Sequence, residues 1–489
     1  MPERLPSGPS VTSAPPGTPT ASQPGPQPAP QLAKGLGPYA ATAVVAGTVI
    51  GTGIFLVPSL MLAHVGTPLK VMAVWVFAGL LSLFGALGYA ELGGALPEAG
   101  GEYVYLREAY GPGMGFLYGW TQFVVAKPAS IATIATGFLL YSAYFFPGLT
   151  NVVWQFPAAA SGHGLAFKLT GLQVGSALMI MFLSGINVLG VRRSGAVQTI
   201  FTAAKLAVLV TLIVVGLAAG HGSFQHFWTL APGVRTAAPA SGLLLAMVSA
   251  LWAYDGWNNL SMVAGEVKNP QRNMPLALIA GSLVVLGVYL LANFVYFYLL
   301  TPAEAVSTST IAVVTARRLM GAGGATFVAI GVLVSTFATL NGSVLSGSRI
   351  PYAQAKDRLF PAAFARVQPR FCTPHVAIAA QAMISSVFAL TGVYETLYTK
   401  AIYSEWIFYA LVTAGILILR RRQPDLARPY RTWGYPFVPL LFVTVAALLL
   451  LDTLRERPSD AIWCLGLVGT GIPAYLVWKA LGVEGSGNS

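Results

Sequence analysis

Apolar runs of about 20 residues, the length a bilayer-spanning helix needs, alternate with short polar stretches along the whole chain. Their centres fall near Ile50, Leu83, Ile131, Met181, Val210 and Leu251. A second six fall near Val285, Thr336, Met383, Leu411, Val445 and Val468. The pattern predicts an all-α integral membrane protein with twelve transmembrane helices. Two of the runs are interrupted. The first contains "VIGTGIFLVP", Val49 to Pro58, with two glycines and a threonine at mid-membrane depth. The sixth contains "LWAYDGWNNLSMVAGE", Leu251 to Glu266, with Asp, Gly and two Asn at the same depth.

The interrupted runs lie five segments apart. Residues 37–220 carry the first five segments and residues 240–422 the next five. Residues 433–482 carry a peripheral pair. Five is odd, so the second half enters the membrane from the opposite side, which makes the repeat inverted. Broken helices at matching positions in two halves point to a transporter's binding site. Helices one and six are therefore expected to be discontinuous. An unwound stretch frees backbone groups that lipid cannot satisfy, so it must face protein, ligand or water. The helix restarting near Ile54 presents its N-terminal dipole, which favours a carboxylate. The helix ending before the break presents the opposite pole, which suits an ammonium. One break thus matches both ends of an α-amino acid. The alternative is that Gly51 and Gly53 only let helices pack closely. In the substrate reading, a side chain at Gly53 blocks the carboxylate without disturbing the fold.

Charge fixes the orientation. The chain is 55% hydrophobic and 9% charged, with a net charge of +12. The basic residues cluster between apolar runs, at Arg192-Arg193, Lys268, Arg272, Lys356, Arg358, Arg366, Arg370 and Arg420 to Arg431. This is positive-inside patterning, not a nucleic-acid footprint. It puts both termini in the cytoplasm, with the chain in the inner (plasma) membrane. Residues 1–36 are rich in Pro, Ser, Thr and Gly and are expected to be disordered. The polar piece Leu96 to Pro112 is either an amphipathic, re-entrant segment or a loop. The two cysteines, Cys372 and Cys464, define no disulfide framework. The five histidines are scattered without metal-ligand spacing. No cofactor and no enzymatic motif is indicated. A channel and a transporter-like receptor are the competing classes.

The stretches "VIGTGIF", "ALGYAELGGALPEAGGEYVYLREAYGP", "GVRRSGAVQTIFTAAKL", "WAYDGWNNLSMVAGEVKNPQRNMP" and "STFATLNGSVLSGSR" resemble the amino acid–polyamine–organocation superfamily. The likeness is nearest to its L-type amino acid transporter branch, over about Leu36 to Tyr435. It implies a LeuT-like fold of ten helices in two inverted repeats plus two peripheral helices. It also implies sodium-independent amino acid transport, often by exchange. By resemblance, the substrate carboxylate meets Ile50, Gly51, Thr52, Gly53 and Ile54. Its ammonium meets the backbone of Trp252, Ala253 and Asp255, and Trp252 acts as a gate. Eukaryotic L-type members join a glycoprotein through a cysteine between spans three and four. Residues 147–168 hold no cysteine, so no disulfide-linked heavy-chain subunit is expected. Asp255 stands where relatives usually have a small residue. An acid there attracts a cationic side chain or takes a proton.

Ionisable residues inside a membrane mark function by default. Lys205 lies mid-span in "FTAAKLAVL". By resemblance its ammonium replaces a sodium ion, with Gly51 and Ser335 as neighbours. Lys127 is either a structural pair within span three or a substrate contact. Glu405, placed near one end of span ten, is either a structural partner or part of the substrate path. Ser335, Thr339 and Ser343 share one helix face. They either join helices or line the site, with Thr339 assigned to substrate. Asn258 is assigned to substrate through its amide, while Tyr254 and Trp257 are read as core aromatics. The favoured function is exchange of neutral amino acids by alternating access. The alternative is proton-coupled symport, or transport of cationic amino acids or polyamines.

Overall fold

The computed structural model describes residues 36–480 except 99, 156–167, 190–193, 220, 235–238 and 372. The side chains of 194–202 and 239–241 are also outside the description. The expected disordered tail, up to residue 35, the Arg192-Arg193 cluster and Cys372 lie outside the described residues. Leu36 is already part of the fold. Its N–H donates to the Glu266 carbonyl (3.0 Å), and its carbonyl accepts from the Lys268 N–H (2.9 Å).

The first half opens with α1 (Pro38–Val49) and α2 (Gly53–Val65), bent by 45° at the intervening residues. There follow α3 (Pro68–Ala95), α4 (Glu102–Tyr110), α5 (Pro112–Thr121) and α6 (Lys127–Ser142). A five-residue π-helical turn, Gln122–Ala126, joins α5 to α6. The antiparallel pair β1 (Val152–Gln155) and β2 (Lys168–Thr170) caps one end, followed by α7 (Gly171–Val188) and α8 (Ser194–Ala218). The second half begins with α9 (Pro239–Tyr254) and the single turn α10 (Asn259–Met262). It continues with α11 (Pro270–Leu299), α12 (Pro302–Ser307), α13 (Ile311–Gly347), which kinks at Gly321, and α14 (Arg349–Lys356). Then come α15 (His375–Thr391), α16 (Tyr394–Arg422), α17 (Phe437–Glu456), α18 (Pro458–Gly469) and α19 (Gly471–Ala480).

Eight helical segments among the described residues are long and apolar enough to cross a membrane, and the bent pair makes a ninth. The other expected segments carry α8, α9 and α15. The chain is a multi-pass, all-α membrane protein. Helices α17 to α19 face outward with Phe437, Leu448, Trp463 and Leu476 exposed. In a bilayer this apolar face meets lipid at no cost.

The two halves interlock. The bent pair packs on α9, α3 on α11, α6 on α13 and α7 on α15. Aromatic rings fill the seam. Trp75 meets Tyr254 and Tyr289 edge-on at 5.5 and 5.2 Å, and Trp257 meets Tyr89 at 4.7 Å. Tyr254 and Trp257 are thus core residues. Between α3 and α5, the polar piece from Leu96 forms α4. Six of its nine residues are buried, including Glu102. It is an internal helix, not a surface loop. Asn269, in the left-handed region (φ 44°), and Pro270 start α11 after a turn. Pro275 lies inside α11.

Candidate functional site

The first break is built from an extended residue and two small ones. Ile50 closes α1 with extended backbone, and α2 restarts at Gly53 with no side-chain cap on its first N–H groups. Those donors point into the gap between the half-helices. The second break runs from Asp255 to Asn258, where Gly256 takes a positive φ of 109°. The breaks are stitched together. The Tyr289 hydroxyl lies 3.0 Å from the Val49 carbonyl and 2.9 Å from the Ala253 carbonyl. The Thr48 hydroxyl reaches the Gly256 carbonyl at 3.0 Å.

Between the breaks lies a cavity of about 60 Å³. Gly51, Thr52 and Gly53 line it from the first break, and Trp252, Asp255, Gly256 and Asn259 from the second. Lys127 and Ser130 come from α6, and Thr339, Ser343 and Ser346 from α13. The space holds several water-sized groups, and its walls are rich in hydroxyls. It shares Thr48, Asn259, Thr339, Ser343 and Ser346 with a vestibule of about 370 Å³ that extends to Val44 and Arg349. This is the side on which α1 begins. A vestibule of about 440 Å³ lies on the opposite side, between Leu60 of α2 and Val393 before α16. Among the described residues it shares no lining with the chamber. Tyr394 stands between them. Its hydroxyl donates to Thr52 Oγ1 (3.2 Å) and accepts from Trp252 Nε1 (3.1 Å). The structure is open to one side and sealed on the other.

The expected substrate residues divide. Gly51, Thr52, Gly53, Trp252, Asp255 and Thr339 line the chamber. Ile50 and Ile54 are fully buried behind it. Ala253 packs against Gly53: a Cβ at Gly53 would lie 2.5 Å from Ala253 Cα and Cβ. The expectation that a side chain at Gly53 leaves the fold undisturbed does not hold, because it strikes the facing helix; Gly53 itself lines the chamber. At Gly51, a Cβ meets nothing closer than 3.8 Å. Asn258 is not among the residues that line the chamber. Its amide donates to Glu102 Oε1 (2.5 Å), and the adjacent Asn259 takes the place on the wall. The span-six carbonyls already have donors: Trp252 O accepts from the Asp255 N–H (3.2 Å) and Ala253 O from Tyr289. Each carbonyl keeps a second lone pair.

Lys205 is 2% exposed, and its ammonium donates to the Gly47 carbonyl at 2.5 Å. Gly47 lies in the last turn of α1, where carbonyls lack helical partners and a cation is favourable. The contact is thus one turn before Gly51. Ser335 is buried nearby in sequence register with Thr339, yet its Oγ has no hydrogen-bond partner among the described residues. Glu405 sits near the middle of α16, not near an end, and is 1% exposed. It pairs with Lys127 at 3.8 Å, so Lys127 bridges to span ten rather than pairing within span three. Glu405 does not line the chamber. Four further residues escaped the sequence reading: Glu102, Tyr289, Tyr394 and Tyr409. The only sequence signal among them is Glu102, an acid following two glycines at the start of an amphipathic turn.

Residues 36–470 match the family described as amino acid permease. The serine/threonine exchanger SteT of Bacillus subtilis (strain 168) is 34% identical over 92% of this chain and 97% of its own length. The b(0,+)-type amino acid transporter 1 of Mus musculus is 30% identical over 91% of this chain and 88% of its own. The large neutral amino acids transporter small subunit 2 of Oryctolagus cuniculus is 31% identical over 91% and 80%. With two broken helices enclosing one polar chamber, and matches that run nearly end to end, the chain belongs to the amino acid permease family, on the L-type side of the amino acid–polyamine–organocation superfamily.

Proposed function

We propose that the protein exchanges neutral amino acids across the inner (plasma) membrane by alternating access, without sodium. The observation that carries this is the chamber at the paired breaks, open to one vestibule and closed from the other. A carboxylate is received by the uncapped N-terminus of α2 beside Gly51, and an ammonium by the free lone pairs at the end of α9. The remaining space is small and hydroxyl-lined, which suits short side chains such as that of serine. SteT, named a serine/threonine exchanger, agrees with this choice. Trp252, Thr52 and Tyr394 form the closed gate. Lys205 supplies a fixed positive charge against α1, which makes an external sodium ion unnecessary.

The architecture in this reading is LeuT-like, with twelve spans, both termini cytoplasmic, and an inverted repeat of residues 37–220 on 240–422. Its support is that four segments of the first half each pack on their own counterpart in the second. The vestibule beside the start of α1 is then cytoplasmic, and the structure faces inward. The protein works without a disulfide-linked partner. A second reading, proton-coupled or cationic substrate transport, has one observation in its favour: Asp255, an acidic residue, is part of the chamber wall. Reconstituted protein loaded with L-serine should take up labelled L-serine in a saturable, counterflow-stimulated manner that sodium does not change. Flux without saturation indicates a channel, and binding without flux a sensor.

A further inference from the structure

Behind the chamber wall lies a polar cluster that the exchange reading does not use. The Tyr409 hydroxyl is 2.8 Å from Asp255 Oδ1 and 2.8 Å from Glu405 Oε2. A phenol has one proton and can donate to one of them. At the other contact the proton must come from the carboxyl, which donates to the phenol oxygen. Two ionised carboxylates around one hydroxyl would leave a short oxygen–oxygen contact with no proton in it. The other oxygen of Glu405, Oε1, has no hydrogen-bond partner among the described residues, and its nearest cation is Lys127 at 3.8 Å. Glu102 Oε2 and the Tyr89 and Tyr118 hydroxyls are likewise buried and unpartnered.

We propose that Asp255 and Glu405 hold one shared proton across Tyr409, and that losing it switches the chamber from neutral to cationic side chains. The inference rests on the amino acid transport reading for its second half only. Charge arithmetic carries it. Asp255, Glu405 and Lys127 with one proton sum to zero. Without the proton they sum to −1, beside a substrate in a cavity of low dielectric. Burying a second uncompensated carboxylate costs several kcal/mol, so the neutral form is the one this packing suits. The groups facing the two carboxylates are Lys127 on α6, Glu102 on α4, Tyr89 on α3, Tyr118 on α5 and Tyr409 on α16. On the α18 side, Asp460 is paired with Lys400 instead (3.3 Å). A metal ion is a poorer occupant than a proton, because the Lys127 ammonium already stands against Glu405. Asp255 and Lys127 both line the chamber, so the proton leaves through it to the open vestibule and returns the same way.

The test has two arms on the full-length purified protein. The first needs no substrate. At neutral pH the infrared spectrum should contain the band of a protonated carboxyl that shifts in heavy water. The band should disappear in Glu405→Gln and in Asp255→Asn, and persist in Glu102→Gln. The second arm measures binding of L-serine and L-arginine from the fluorescence of the chamber tryptophan Trp252. The arginine-to-serine affinity ratio should rise about tenfold across the pH at which the carboxyl band is lost and stay flat in Glu405→Gln. A band that is absent in the wild type, or unchanged in both Glu405→Gln and Asp255→Asn, overturns the proposal. So does an affinity ratio that rises equally in Glu405→Gln. If neither amino acid binds at any pH, the transport reading fails, and the infrared arm still decides the proton.

Discussion

The two breaks are made of different material. The first, Ile50 to Thr52, carries no ionisable side chain, and it offers the chamber mainly backbone and one hydroxyl. The second, Asp255 to Asn258, is polar, but most of that polarity faces away from the chamber. Asn258 is bonded to Glu102, Trp257 is packed on Tyr89 and Tyr409, and Asp255 is tied to Tyr409. In the proposed exchange reading, the contrast separates two tasks. A backbone site recognises what all amino acids share, since every substrate has the same carboxylate. A side-chain cluster sets what differs among them. Backbone recognition needs close approach, and so glycine. Side-chain recognition needs a fixed charge, and so a cluster to hold it.

The largest expected effect tests whether Gly53 belongs to the site or to the packing. Gly53→Val places atoms well inside the contact distance of Ala253. Overpacking of a rigid backbone contact costs about 1–3 kcal/mol or more. The variant should lose most folded protein on size-exclusion chromatography, with binding lost as a consequence. A monodisperse Gly53→Val that fails only to bind would return Gly53 to the carboxylate site. Next is Lys205→Ala, which removes the donor to Gly47 and leaves a buried gap. Uptake should fall by more than about tenfold, the effect of losing one charged hydrogen bond of about 1.5–3 kcal/mol. Normal uptake at normal expression would remove Lys205 from the mechanism.

The first break was legible because glycine and threonine interrupt an apolar run where lipid tolerates no free backbone. The second was legible for the same reason, but its facing was not. An unwound chain has no helical phase, so neighbouring Asn258 and Asn259 cannot be told apart by periodicity. Glu405 was misplaced because the apolar run centred near Leu411 leaves out the first turns of α16, which contain Glu395, Thr396, Thr399 and Lys400. They are helical and packed against protein, with Glu395 paired to Arg457 and His64, and so need no apolar side chains. Tyr289, Tyr394 and Tyr409 are ordinary membrane-helix residues in sequence. Only the assembled bundle shows that the Tyr289 and Tyr394 hydroxyls each join two other elements, and that Tyr409 joins Asp255 to Glu405 of its own helix. The twelve apolar runs all coincide with helices or with the bent pair.

A smaller effect sharpens the contrast at the first break itself. Gly51→Ala adds a methyl where only the Val49 carbonyl and Thr339 Cγ2 approach, at 3.8 and 3.9 Å. The fold has room for it, and a bound carboxylate does not. Affinity for L-serine should fall about tenfold, or about 1.4 kcal/mol, with the melting midpoint unchanged. Tyr394→Phe removes the hydroxyl shared by Thr52 and Trp252. Each lost bond is worth about 1 kcal/mol, so the sealed side should open more often. A cysteine placed at Leu60, in the opposite vestibule, should then react faster with a membrane-impermeant thiol reagent than in the parent protein.

The smallest effect is expected where the two breaks touch. The Thr48 hydroxyl donates to one of three acceptors: Val44 O at 2.8 Å, Val45 O at 3.1 Å or Gly256 O at 3.0 Å. The first two lie in its own helix, and only the third joins α1 to the second break. Thr48→Val keeps the shape and removes the donor. Gly256 lines the chamber, where water can take the place of the hydroxyl. The net loss should therefore stay near or below about 1 kcal/mol, a shift of about 2 °C or less in the melting midpoint of a chain this long. Exchange should continue at close to the parent rate, because Tyr289 still holds the two breaks together. Tyr289→Phe, by comparison, leaves two carbonyls, Val49 O and Ala253 O, without their shared donor, and should lower the midpoint further. If Thr48→Val is the more damaging of the two, the breaks are joined through Gly256, and the second break takes part in backbone recognition as well as in selecting side chains.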